Sequence, residues 1–253
     1  MMKILSSYIF YYKNYFSSKL FPNYAADNLI HFYYTSSKVT QQPYESEFEK
    51  TTKHNILKIP TLGYKERITK FIENNKERNN MKLSRIPELP EEITVLEFLP
   101  EENIEKKECT ILCSHGIEGR GTNFFKFISK LIHRGFRVLA LDYPMHGNTD
   151  GNETGCHVFG YSLNCILYYL KEPIILLAHS LSNEAVSMNY YISDENTKNK
   201  IKGYVCISVL DKLIDCIINF GKLAGLDDYT TKLFLEKNLE KLGMDLNFIL
   251  LVK

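Results

Sequence analysis

Residues Pro173 to Ser182 read P-I-I-L-L-A-H-S-L-S. Pro173 to Ala178 is a short run without a charge, which fits a strand buried on both faces. A helical pattern begins at Leu181 and continues to Tyr191. Ser180 is therefore expected in the turn between a strand and a helix. A sharp turn of this kind can lift one serine hydroxyl above the rim of a sheet. Its flanking positions favour glycine, because the two backbones approach closely there. This chain has Ala178 and Ser182 instead, both small. The competing reading is an ordinary turn serine or a helix N-cap, which serine also favours.

Working outward, the same rhythm repeats. Cys109 to Ser114, Phe136 to Leu141 and Ile201 to Val209 are apolar runs of strand length. Asn123 to Arg134 and Val158 to Leu170 carry apolar residues at helical spacing. Glu92 to Leu99 alternates enough to add a strand upstream. Continuous apolar strands separated by helices predict an α/β fold, a mostly parallel sheet with helices on both faces. Right-handed crossovers place the carboxyl ends of parallel strands on one rim, where open α/β sheets bind ligands.

Two further stretches fall at predicted strand ends. His115-Gly116-Ile117-Glu118-Gly119-Arg120-Gly121 follows the run ending at Ser114. Its glycines allow backbone geometry that other residues resist. A phosphate-cradling loop is a poor alternative, since no G-K-[ST] ending is present and the spacing does not fit a dinucleotide fingerprint. Asp142-Tyr143-Pro144-Met145-His146-Gly147 follows Leu141. His146 reads as a loop-shaping residue.

Together these stretches resemble the α/β-hydrolase superfamily, in the right order and each after a successive strand. The segment His115 to Gly121 is similar to the H-G-x-x-G-R-G form of one group of small hydrolases. The resemblance covers roughly residues 90 to 250. It implies a serine hydrolase acting on an ester or related acyl bond of a small molecule. Ser180 would be the nucleophile. The backbone amides of Ile117 and Leu181 would form the oxyanion hole, with His115, Gly116 and Gly119 shaping its loop. No metal or organic cofactor is implied.

The family order is nucleophile, acid, histidine. The seven histidines are His31, His54, His115, His133, His146, His157 and His179, and none follows Ser180. Residues 211 to 253 read as helical and resemble a cap, with Phe248 to Val252 as a last apolar run. On this reading the fold is C-terminally incomplete and lacks the strands that carry acid and base. Asp211 offers an alternative acid position, against its reading as a helix N-cap. Without a positioned base a serine hydroxyl is a poor nucleophile. The chain is then an impaired hydrolase, a truncated gene product, or a non-catalytic binding protein on the same fold. The last strand would leave an exposed apolar edge, through which copies could self-associate.

The remaining properties exclude more than they assign. The 253 residues carry a formal net charge of +1, so nothing favours nucleic acid. The six cysteines include no paired metal-ligand spacing, and a reducing, cytoplasmic setting is expected. Residues 1 to 80 read as an N-terminal helical extension, 81 to 210 as the core and 211 to 253 as the cap-like segment. The apolar run from Ile4 to Tyr12 is too short for a transmembrane segment. It reads as an amphipathic helix packed on the domain, with a weak signal peptide or an interfacial anchor as alternatives.

Overall fold

The computed structural model describes residues 2–35, 39–75 and 86–242. In chain order the elements are α1 (Met2–Leu20), α2 (Pro22–Tyr34), α3 (Pro43–Thr51), β1 (Asn55–Pro60), α4 (Tyr64–Asn74), β2 (Glu92–Phe98) and β3 (Thr110–Ser114). A turn of 3₁₀-helix, Gly121–Phe124, leads into α5 (Phe125–Ile132). Then come β4 (Arg137–Leu141), α6 (Cys156–Tyr169), β5 (Ile174–His179), α7 (Ser182–Ile192), α8 (Glu195–Asn199), β6 (Ile201–Ile207), α9 (Leu213–Leu223) and α10 (Asp228–Lys241). The run Phe248 to Val252 lies outside the described residues.

The contacts divide these elements into two units: α1, α2, α9 and α10 form one, and the sheet with the remaining helices forms the other. In the helical unit, Tyr33 meets Phe220 edge-on at 5.0 Å and Phe220 stacks on Phe234. The Tyr34 hydroxyl donates to Asn238 Oδ1 at 3.0 Å, joining α2 to α10.

The sheet runs β1-β2-β4-β3-β5-β6. β3, β4, β5 and β6 are parallel, while β2 is antiparallel to both β1 and β4. β3 shows why this sequence makes a central strand. All five of its residues are buried, as expected of a strand covered on both faces. One side packs Phe48, Phe98, Ile111, Phe124, Ile128 and Val138 into a cluster between the sheet and α3 and α5. Cys156 to Leu167 of α6 are buried without a break, so this helix lies inside the unit rather than on its surface. The α/β class and the parallel core are as the sequence predicts.

β1 differs from the sequence reading, which has this stretch helical. The segment N-I-L-K-I-P buries Ile59 and exposes Ile56. Pairing with β2 decides its state, and Pro60 at its end suits an edge strand because it has no N–H to donate. β6 also departs from expectation, since most of its side chains are exposed or half-buried. Cys206, which lies in the apolar run Ile201 to Val209, is exposed on this strand. β6 is the outermost strand of the sheet among the described residues, so one of its edges has no neighbour in the ladder.

Candidate active site

Ser180 stands between β5 and α7 with φ +53°, in the left-handed region. A residue with a side chain enters that region at a cost of ~1–2 kcal/mol and stays only if its surroundings hold it there. Here they do. The Ser180 amide donates to the Ile207 carbonyl at 2.9 Å. The Asn183 amide and side chain both donate to the Ser180 carbonyl, at 2.9 and 2.8 Å. Asn183 Nδ2 also reaches the Ile207 carbonyl, at 3.2 Å. The turn is thus clamped to the carboxyl end of β6. Ala178 and Ser182, the flanking positions, are buried. Small side chains at both places are what the close approach of strand and helix requires.

The glycine-rich loop lies against this turn. A Cβ placed on Gly116 would come 2.9 Å from Ser180 Cβ and 3.2 Å from His179 Nδ1, closer than packed side chains allow. The loop is itself held in a sparsely populated conformation, with Glu118 at φ +56°. The Gly116 carbonyl accepts from the Gly119 amide at 3.1 Å and from His115 Nδ1 at 2.7 Å. It is therefore turned into the loop.

Peptide planarity sets the direction of the two amides. In a trans peptide the C=O of one residue and the N–H of the next point opposite ways, and there are no cis bonds among the described residues. With the Gly116 carbonyl turned inward, the Ile117 N–H points out. With the Ser180 carbonyl turned toward Asn183, the Leu181 N–H points away from α7. Among the described residues neither amide donates to a protein acceptor. Leu181 also sits at the N-terminus of α7, where aligned peptide dipoles favour negative charge. Both amides are therefore N–H donors without a described protein acceptor, in the two segments that meet at Gly116 and Ser180.

The floor beneath is a dense polar network. The Ser114 and Tyr143 hydroxyls are 2.5 Å apart, Ser114 donates to Ser182 Oγ at 2.9 Å, and Ser182 donates to the His115 carbonyl. Asp142 is buried and accepts from the Gly121 amide at 2.7 Å and the Asn148 amide at 2.8 Å. It ties the loop after β3 to the loop after β4. Burial pushes its carboxyl above the ordinary carboxylate value, against the two amides that favour the ionised form. Sequence reasoning missed Ser114, Tyr143 and Ser182 as a network. The available signal was Ser114, a hydroxyl closing the run Cys109 to Ser114, which reads as a buried strand.

His115 and His146 are spent on structure, while His179, next to Ser180, is exposed. Tyr143 N–H donates to His115 Nε2 at 3.1 Å, so Nε2 is an acceptor and Nδ1 carries the proton given to Gly116. His146 is arranged alike: Glu118 N–H donates to Nε2 at 3.1 Å, and Nδ1 faces the Pro144 carbonyl at 3.0 Å. This fits the loop-shaping reading of His146. Burial, reinforced by His146 nearby, holds the His115 imidazole well below its usual 6.5. The unfolded chain takes up a proton below that value and the folded chain does not. Stability is therefore expected to fall as pH drops below about 6.5, by up to about 1.4 kcal/mol per pH unit. Urea midpoints between neutral and mildly acidic pH measure it. A His115→Gln variant with the same slope as the wild type removes the assignment.

Asp211, the alternative acid of the sequence reading, makes no described hydrogen bond to the residues of this site. It is exposed, belongs with the helical unit, and stands one residue before Lys212, the N-cap of α9. It is therefore not the N-cap that the alternative reading made it. No described side chain hydrogen-bonds the Ser180 hydroxyl. Among the described residues no cluster of His, Cys, Asp and Glu could hold a metal.

The strand order, the lone antiparallel β2 within the core, the strained serine after β5 and the loop after β3 define an α/β-hydrolase fold. No family model matches the chain, and neither does any curated protein. Solved structures similar to it include an α/β serine hydrolase without lid from Xanthomonas campestris, 14% identical, with a TM-score of 0.34. That match covers 40% of this chain and 52% of the other, so the chain spans about half of that hydrolase. A Pyrococcus furiosus esterase is 14% identical over 83% of this chain and 68% of its own, with a TM-score of 0.47. A Paleococcus ferrophilus monoacylglycerol lipase is 22% identical over 60% and 67%, with a TM-score of 0.38.

Proposed function

We propose that the chain carries a serine-hydrolase site for an ester or related acyl bond, with Ser180 as nucleophile. The observation that carries this reading is Ser180 at φ +53° beside the buried Gly116, with the Ile117 and Leu181 amides lacking a described protein acceptor. Natural chains keep such strain where the surroundings demand it and a function uses it. Attack of Ser180 Oγ on an acyl carbon forms the new C–O bond and moves the carbonyl electron pair onto oxygen. The two amides would hold that oxyanion. The serine proton has to pass to a base, and collapse of the intermediate expels the alcohol.

A second reading has one observation in its favour. His115 and His146, the two histidines of the adjoining loops, give both ring nitrogens to neighbours. The same fold would then serve as an acyl-group binding site without turnover. The oxyanion hole and binding alone can still supply about 10³–10⁴-fold over water when a triad is incomplete.

A fluorophosphonate probe tests the first reading, because its phosphorus is attacked by the serine and its oxygen seeks the same amides. Covalent labelling of folded protein, mapped by mass spectrometry to the peptide containing Ser180, is the expected outcome. Folded protein that stays unlabelled overturns it. Labelling without hydrolysis of p-nitrophenyl butyrate favours the binding reading.

A further inference from the structure

Helix α1 has two faces of different character. Its inward face is fixed within the helical unit. Asn14 is buried and its Nδ2 donates to the Ala224 carbonyl at 3.1 Å, and the Ser18 carbonyl accepts from Thr230 at 3.2 Å. Phe10 packs on Phe32 at 4.7 Å. Gly225, at φ +98°, lets the following turn lie on the Tyr11 carbonyl, where a Cβ would come within 2.4 Å.

The outward face is apolar where a surface helix should be polar. Tyr8, Tyr12, Phe16 and Leu20 follow one another at four-residue spacing and form a single ridge, with Ile9 beside them. Each is more than half exposed. Phe21 and Tyr24 of the adjoining turn and α2 extend the patch, also exposed. Lys13 and Lys19 flank the ridge and face solvent. The first acidic residue in the chain is Asp27, so α1 itself carries only cationic charge; Asp227, at the start of α10, acts on Lys19 and leaves Lys13 as the lysine with no described carboxylate against it.

We infer that α1 lies in the plane of an anionic lipid bilayer, its aromatic ridge in the headgroup boundary and its lysines against the phosphates. Tyrosine-rich faces prefer that depth, since each ring buries its body and keeps its hydroxyl wet. Lysines beside the ridge add attraction to anionic lipid. Among the described residues no helix is long and apolar enough to cross a membrane, so the helix rests on the surface and does not span it. Helix α1 is ~29 Å long at ~1.5 Å per residue, and the ridge runs along most of it. Surface binding at this place is independent of the chemistry proposed for Ser180.

Flotation of the full chain with phosphatidylcholine vesicles, with and without phosphatidylglycerol, tests this. The chain is expected to float with the anionic vesicles and much less with the neutral ones, and added salt is expected to reduce flotation. Tyr12→Ser combined with Phe16→Ser is expected to weaken partitioning by at least about tenfold. Both positions are exposed, so an unchanged melting temperature shows that the fold survives. Lys13→Glu with Lys19→Glu is expected to abolish the preference for anionic lipid. The inference is overturned if the wild type floats with neither vesicle, or equally with both, or if the serine variant floats as well as the wild type. It is also overturned if light scattering finds a lipid-free dimer that the serine variant dissociates, which would give the ridge to a second copy of the chain.

Discussion

A Ser180→Gly variant is expected to lose all fluorophosphonate labelling and yet to melt higher than the wild type. The first effect follows from removing the only atom proposed to attack. The second follows from φ +53° at this residue, a conformation that costs a side chain ~1–2 kcal/mol and glycine nothing. Glycine returns part of that gain by loosening the unfolded chain, by ~0.4–1 kcal/mol. The net is about 0.5–1 kcal/mol, or an increase of about 1–4 °C for a chain of this size. Ser180→Ala, which keeps the strain, should lose labelling without gaining stability. Differential scanning calorimetry beside the labelling assay decides it. A Ser180→Gly variant that melts lower than the wild type would mean that the turn is held for a purpose other than exposing the hydroxyl.

Gly116→Ala is expected to slow labelling about a hundredfold while leaving the protein folded. Gly116 is not at positive φ, so alanine meets no backbone penalty there. The obstacle is space alone. The new methyl would sit 2.9 Å from Ser180 Cβ, 3.2 Å from His179 Nδ1 and 3.3 Å from the His179 carbonyl. Loop and turn must separate by a few tenths of an ångström or more. That shift moves the Ile117 amide away from the point it is proposed to share with Leu181. Loss of one oxyanion donor costs ~10²–10³ in rate, and a misplaced one costs somewhat less. Labelling rates compared at matched urea midpoints separate this geometric effect from unfolding. A labelling rate equal to that of the wild type removes Ile117 from the site.

The parallel core was legible because β3, β4 and β5 are central strands whose burial on both faces demands unbroken apolar runs. β1 was not, since an edge strand buries one residue in two at most, and its state is decided by β2, whose sequence lies more than thirty positions away. Ser180 was legible as a candidate from its place between a strand and a helix. Its strain was not, because serine carries no preference for positive φ that a reader could detect. The loop at Gly116 was legible as a loop. What fixes the Ile117 amide outward is the pair of bonds made by the Gly116 carbonyl, and one of these comes from His115, a residue that invites a catalytic reading. Asp211 illustrates the reverse case: the sequence offers it as a helix N-cap, and the helix begins one residue later, with Lys212 in that place.

The hydroxyl of Ser182 alters what counts as a match to this motif. Tyr143, Ser114 and Ser182 pass their protons in one direction, ending on the His115 carbonyl, so the first turn of α7 is riveted to the end of β3. Glycine at that place would give the same clearance and none of the fastening. Serine here is a different joint with the same fit.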